Sequence, residues 1–423
     1  MLPAEPATPA PEIPPPKPAA PVPVEERIQA IDVLRGLALF GILTANMRGF
    51  NSPMQAYFNP LLMWKEPADR IAQALVDCFV SGKFITLFAF LFGLGFAVQL
   101  TRAETGGGRF AGLFGRRMTG LLLFGLAHSF LIWWGDILLN YAFVGFLLLL
   151  FRKRSQKTVL IWATALYWVP VVAMAGLAVA VMLGAKVPSP PEPTAQILQE
   201  TIRVYAEGSY GEVFGKRAAE WRALNSAFPF FFPRVLSLFL FGFWFWRTGF
   251  FQNLAEHVPT VRRAAPWLLL AGAAGNGAAT AINEIWRPNP MGADPMAVLY
   301  FLVASAAIPA LSAFYACLVI LAVGDERWRR RVSVFGYVGR MALTNYLLQS
   351  VLCTTLYYSH GFGLYGKVGP LMGVLPTILI YGAQILFSGW WLGQFRYGPC
   401  EWLWRAMTYG RNVTRRAQAA CVS

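Results

Sequence analysis

From residue 30 onward the chain alternates long apolar runs with short polar stretches. Ten runs approach the length a helix needs to cross a bilayer: 30–50, 80–100, 117–134, 137–151, 159–183, 229–247, 265–283, 297–323, 334–358 and 371–392. A helix rises 1.5 Å per residue, so about 20 apolar residues cross ~30 Å of hydrocarbon. Only helices satisfy their own backbone polar groups over such runs in lipid. The pattern therefore predicts an all-α, polytopic integral membrane protein with about ten transmembrane helices. The run at 137–151 is short, and only Gly135 and Asp136 separate it from the run before. Spans three and four must form a tight helical hairpin.

The polar stretches set the domain organisation. Residues 1–27 are Pro/Ala-rich, with ten prolines in the first 24. Proline offers no amide donor and fixes φ, so this segment reads as a disordered cytoplasmic tail. It lacks the basic and apolar regions of a signal peptide. Residues 28–183 hold helices one to five, and 229–396 hold helices six to ten. Between them, 184–228 is an outer loop whose 195–225 portion mixes apolar and charged positions as an amphipathic helix does. Residues 397–423 give an interfacial helix and tail, opened by Pro399 and carrying Trp402 and Trp404 at the membrane surface. No internal repeat is visible, which counts against an inverted-repeat transporter.

Composition agrees with this reading. The 423 residues are 56% hydrophobic and 13% charged, where a soluble domain runs near 25% charged. The net charge of +15 does not indicate nucleic acid, because the basic residues form short clusters between apolar spans and not one stripe. With the N-terminus inside, the inner loops hold twenty Lys and Arg against five acids, and the outer segments hold ten of each. The positive-inside rule then puts both termini in the cytoplasm, with the basic loops facing an anionic inner leaflet. Five scattered cysteines form neither a metal knuckle nor a disulfide frame. Nucleotide-binding loops, zinc-protease motifs and serine-hydrolase elbows are absent, and three histidines in all make a metal centre a poor expectation.

Charges inside spans cost ~2.5–3.5 kcal/mol each at the centre, so each needs a reason. The candidates are Asp32, Arg35, Asp77, Lys83, His128, Arg234 and Arg340. His128 lies eleven residues beyond Arg117, about 16 Å along a helix and close to the midplane. Asn46, eleven residues beyond Arg35, reaches a similar depth. Lys83 and Asp136 fall near the outer edge, Arg234 in the outer half, and Asp32, Arg35 and Arg340 on the inner side. Structural roles compete with chemical ones throughout. Asp32 and Arg35 can start and anchor a helix, Lys83 can snorkel, His128 can bridge helices, and Asn345 can pair with a neighbouring helix. Arg234 has nearby acids in Asp136 and Glu284 by depth.

The motifs IDVLRGLALFGILTANM (31–47), SGKFITLFAFLFGLGF (81–96), HSFLIWWGDILLNYAFVG (128–145), GRMALTNYLLQS (339–350) and YGPCEWLWRAMTYG (397–410) resemble the YeiB-like bacterial membrane proteins. The last two resemble that family's C-terminal domain of unknown function. The resemblance implies the bacterial cytoplasmic membrane. At its first span the chain is also similar to the transmembrane acyltransferase superfamily, which moves acyl groups from a cytosolic thioester to acceptors across the membrane. Arg35 matches that superfamily's opening pattern, but Asn46 stands where the pattern has a histidine. An amide cannot serve as general base, so acyl transfer here would rest on His128, the sole histidine in a predicted span.

Two functions follow. As an acyltransferase, His128 would be the base, oriented by Asn46 or Asp136, with Asn46 the better partner because Asp136 lies about 12 Å further along a straight helix. Arg35, Arg116, Arg117 and Arg340 would hold the phosphates of an acyl-coenzyme A co-substrate, with Asp32, Lys83, Arg234 and Asn345 lining the site. No cofactor is expected to stay bound, and the acceptor would be a small molecule, glycan or lipid. As a transporter of a small anionic or amphipathic solute, Lys83, Arg234 and Arg340 would line a path with His128 as proton relay. A partner-binding scaffold using 184–228, or an oligomer, stays open.

Overall fold

The computed structural model describes residues 28–105, 110–185, 194–286 and 294–410. The Pro/Ala-rich tail and residues 411–423 lie outside them. In chain order the helices are α1 (Gln29–Asn51), α2 (Met54–Phe58), α3 (Pro67–Phe79), α4 (Lys83–Thr105), α5 (Phe110–Ala127), α6 (Leu138–Leu148), α7 (Gln156–Met182) and α8 (Ala195–Glu207). There follow α9 (Tyr210–Ser226), α10 (Phe228–Arg247), α11 (Leu254–Trp286), α12 (Pro295–Gly324), α13 (Glu326–Arg340), α14 (Ala342–Tyr357), α15 (Val374–Gln394) and α16 (Pro399–Tyr409). A π-helical turn, His128–Ile132, extends α5.

Among the described residues, seven segments are long and apolar enough to cross a membrane: Gln29–Asn51, Pro67–Glu104, Phe110–Ile132, Gln156–Met182, Phe228–Arg247, Pro295–Gly324 and Val374–Gln394. Leu138–Leu148 is an eighth, shorter apolar helix. The chain is a multi-pass membrane protein. Two of the ten expected runs look different in the structure. The run at 334–358 is broken at Met341 between α13 and α14. The run at 265–283 is the apolar middle of the longer α11, which begins among Glu256, Arg262 and Arg263.

α1 is the central helix, packed against α4, α13, α14 and α15. Its approach to α13 is backbone to backbone. A Cβ on Gly36 would run into the Phe335 carbonyl, and one on Gly339 into the Asp32 carbonyl. Small residues are how membrane helices approach this closely. α10 packs on α4 and α7, and α11 pairs with α12. Aromatic side chains fill the interior, as where Phe92 stacks on Phe239 at 4.4 Å.

The two ends of the bundle differ. At one end, here the cap end, the amphipathic α8 and α9 cover the end of α5 and the loop after α14. The Ser359 amide donates to the Tyr205 carbonyl there, and the Gly366 amide to that of Asn51. At the other, the tail end, α16 lies against α5 and α14. Its Glu401 accepts from the Thr344 amide at 2.9 Å and the Thr344 hydroxyl at 2.6 Å, a carboxylate placed at the positive N-terminus of α14. Burial raises the Glu401 pKa above the usual carboxylate range, against the pull of those Thr344 bonds.

Candidate functional site

The end of α5 carries the most informative local geometry. Ser129 Oγ donates back to the Gly125 carbonyl at 2.7 Å, a bond that bends helices. The helix then widens into the π turn, closed by the Trp133 amide on the His128 carbonyl at 2.9 Å. Such π turns recur at functional sites. Trp133 is extended, with φ −151° and ψ 136°, so the chain doubles back. Gly125 permits this, because a Cβ there would press on the backbone of Leu138 and Leu139. The reversal folds Asp136 onto His128, and Nδ1 stands 2.7 Å from Asp136 Oδ1. The other oxygen, Oδ2, accepts from the Leu139 amide at 2.7 Å and caps α6. Both side chains of the pair are fully buried, and His128 Nε2 has no hydrogen-bond partner among the described residues.

The surroundings come from distant parts of the chain. Tyr346 of α14 lies with its ring 5.1 Å from the imidazole. Trp133 stacks near Phe50 at 4.1 Å and donates to the Gly49 carbonyl at the end of α1. α9 supplies Arg217, whose Nη1 donates to the Phe130 carbonyl at 2.8 Å. One turn further on, Glu220 accepts from the Tyr205 hydroxyl at 2.6 Å. Tyr205, Tyr358 and Tyr365 form an aromatic cluster with ring separations of 4.6, 4.7 and 5.7 Å. Burial pushes the Glu220 carboxyl up to about 7. Polar atoms of Asn51, Trp134, Arg217, Glu220, Tyr358 and Tyr365 are buried here without partners. Native interiors tolerate few such atoms, so a cluster of them calls for an explanation.

The expected site residues divide into separate groups. At the tail end, Arg35 pairs with Asp32 at 3.2 Å, and Arg116 donates to the Met407 carbonyl at 3.0 Å. Arg117 lies 3.7 Å over the Trp404 ring and within electrostatic reach of Arg35 and Arg405. Arg340 ends α13 just before the Met341 break. Asn345 donates to Ser388 Oγ at 2.9 Å, joining α14 to α15 as a packing residue would. At the cap end, Lys83 is 2% exposed and donates to the Asp77 carbonyl at 2.6 Å. The Asp77 carboxylate is shared by Arg48, Gln73 and Ser81. Lys83 is thus a buried cap on α3, not a snorkelling anchor.

Two expectations need correction. Asp136, not Asn46, holds the imidazole, because the π turn and the reversal at Trp133 cancel the rise that a straight helix would impose. Arg234, expected to find a carboxylate or backbone carbonyls, meets neither among the described residues. Its Nη2 donates to the Tyr167 hydroxyl at 3.1 Å, with the guanidinium 4.6 Å over that ring. Glu284 is taken by Arg70 and Asp136 by His128.

Sequence reasoning missed Arg217, Glu220, Tyr205, Tyr346, Tyr358 and Tyr365. On an amphipathic outer helix, KRAAEWR reads as a solvated face, and only the packing of α9 onto the π turn buries its arginine.

The family described as "Protein of unknown function (DUF418)" matches residues 245–411, the stretch holding α11 to α16. Over nearly the whole chain, uncharacterized protein YxaH of Bacillus subtilis is 37% identical across 405 residues, covering 91% of this chain and 94% of that protein. Uncharacterized protein YeiB of Escherichia coli is 31% identical across 407 residues, covering 90% and 96%. An uncharacterized 39.9 kDa protein from the amylase 3′ region of Bacillus acidopullulyticus is 31% identical across 398 residues, covering 92% and 96%. With identity at this level along nine-tenths of its length, the chain belongs to the YeiB-like family.

Proposed function

We propose that the protein is a membrane-embedded acyltransferase of the bacterial cytoplasmic membrane, with ten spans and both termini inside. The observation that carries this reading is the buried His128–Asp136 pair with its free Nε2. A carboxylate on Nδ1 fixes the tautomer in which Nε2 is the unprotonated nitrogen, which is what a general base needs. Nε2 takes the proton from an acceptor hydroxyl, whose oxygen attacks the thioester carbonyl. The tetrahedral intermediate then expels the coenzyme A sulfur, which takes that proton back from the imidazolium. The acyl–sulfur bond breaks, the acyl–oxygen bond forms, and His128 returns to its starting state.

The basic cluster of Arg35, Arg117 and Arg405 supports a donor arriving from the tail end. It stands about 16 Å from His128 along α5, so only an extended thioester arm would bridge the two. The acceptor would enter at the cap end. A transporter needs Lys83, Arg234 and Arg340 along one path. Lys83 sealed on the Asp77 carbonyl and Arg234 held against Tyr167 favour that reading less.

The test is thiol release from acetyl-coenzyme A by the purified protein. His128→Ala is expected to abolish turnover in protein that still folds, with a lowered unfolding temperature in detergent because Asp136 Oδ1 is left buried without its partner. Complementation by that variant at the wild-type level would make His128 a packing residue and bring the transporter forward.

A further inference from the structure

We propose that Arg217 is a binding site for an oxyanion, a carboxylate or phosphate carried by the acceptor, which it holds at the cap end on the turn that presents His128. The assignment to an acceptor rests on the acyl-transfer reading; the binding of an anion does not.

Arg217 is 0% exposed. A guanidinium offers five N–H donors in a planar fork. One is used, from Nη1 to the Phe130 carbonyl. Nε and Nη2 are buried and have no partner. Those two atoms form the edge that grips a carboxylate or phosphate in a two-pronged bond. The opposite edge is fixed by the carbonyl of Phe130, two residues beyond His128 in the chain.

Apart from the Tyr210 ring, 5.8 Å from the guanidinium, the described residues offer this charge no close compensation. Among the described residues the ion pairs do not include Arg217. Glu220, one turn along α9, faces Tyr205 instead. With its carboxyl pushed up to about 7 by burial, it carries less negative charge at neutral pH than an ordinary carboxylate. His360, in the loop after α14, is lowered below its ordinary value by burial and by the Arg217 charge. Tyr358, at the end of α14, feels the same charge, and its hydroxyl is buried without a partner. It supplies a donor that an oxyanion would use. A buried, unpaired cation is costly, and a bound anion is what removes the cost.

The test uses the full-length protein in neutral detergent, read by thermal unfolding and by the fluorescence of the tryptophans near the site. One arm titrates inorganic phosphate and glucuronate. The other compares nanodiscs of phosphatidylglycerol with nanodiscs of phosphatidylcholine. A response in the first arm identifies a soluble anionic acceptor, and one confined to the second a lipid phosphate; either supports the site. Arg217→Lys, which keeps a charge and a donor for Phe130 but loses the fork, is expected to bind about tenfold more weakly. Arg217→Gln should lose the response, and His128→Ala should keep it. Wild-type affinity in both Arg217 variants, or no response of the wild type in either arm, overturns the proposal. The two readings separate cleanly. Anion binding lost in the Arg217 variants while His128→Ala still turns over sinks acyl transfer alone. Anion binding unchanged in the Arg217 variants while His128→Ala is dead sinks this site alone.

Discussion

Asp136→Asn separates chemistry from architecture, because the carboxylate serves two masters through two oxygens. Oδ1 holds His128 at 2.7 Å and Oδ2 holds the Leu139 amide at 2.7 Å. Asparagine has one acceptor oxygen and one amino group at the same positions. If its oxygen keeps the Leu139 amide, its amino group faces Nδ1. The imidazole must then carry its proton on Nε2, and the base is lost with the fold intact. If the oxygen instead faces Nδ1, the α6 amide is stranded in the interior, at a cost of about 1–3 kcal/mol. The first arrangement keeps both hydrogen bonds and should prevail. Turnover is therefore expected to drop by about 10²–10⁴-fold, with little loss of stability. Asp136→Ala strands both groups and should destabilise by about 2–6 kcal/mol as well. Thiol release from acetyl-coenzyme A reads the first effect and unfolding in detergent reads the second. Full turnover in Asp136→Asn would refute the reasoning, leaving Asp136 as a cap on α6 and His128 as its neighbour.

Two further outcomes follow from the same geometry. Burial raises Glu220 from 4.5 to about 7 in the folded chain, so between those values the folded state binds more protons than the unfolded one. Stability of the α8–α9 cap is then greatest at acid pH and falls by about 3 kcal/mol in all as pH rises from below 4.5 through 7; amide exchange at pH 5.5 and 8, corrected for intrinsic rate, should show about 2 kcal/mol of this in the wild type and none in Glu220→Gln. Cysteine labelling at Arg154 and Glu207 is expected to report opposite faces of the membrane, and labelling of both from one face would break the ten-span, inside-terminus arrangement.

The sequence reveals what each short stretch imposes on itself. α1, α4, α7, α10, α12 and α15 follow their apolar runs, and α16 opens at Pro399 because that residue lacks only an amide hydrogen the first turn does not use. The tight hairpin between spans three and four was legible from the two residues available to turn it. Length alone could not show that 334–358 breaks at Met341, since no proline or glycine stands at that position and the start of α14 is capped from a distant element by Glu401. The polar groups divide in the same way. Asp32 and Arg35 find each other because they sit three apart on one helix. The partners of Lys83, Arg234 and Arg217 come from other elements or from carbonyls exposed by local reversals, which no spacing records.

His128 shows where helical arithmetic stops working. Counting 1.5 Å per residue puts Asp136 about 12 Å beyond it, and that count selected Asn46 as partner. The Ser129 back-bond, the π turn and the extended Trp133 instead spend eight residues turning back on themselves, so the two side chains end 2.7 Å apart. Each of those features departs from the default helix at some cost, and they occur together where a buried imidazole is left with one free nitrogen. A hairpin needing only to connect two spans would be satisfied by the Gly135 turn alone. The combination of a widened helix, a glycine-cleared approach at Gly125 and a shared carboxylate orients one side chain, and that is why the chemical reading of His128 is preferred over a packing role.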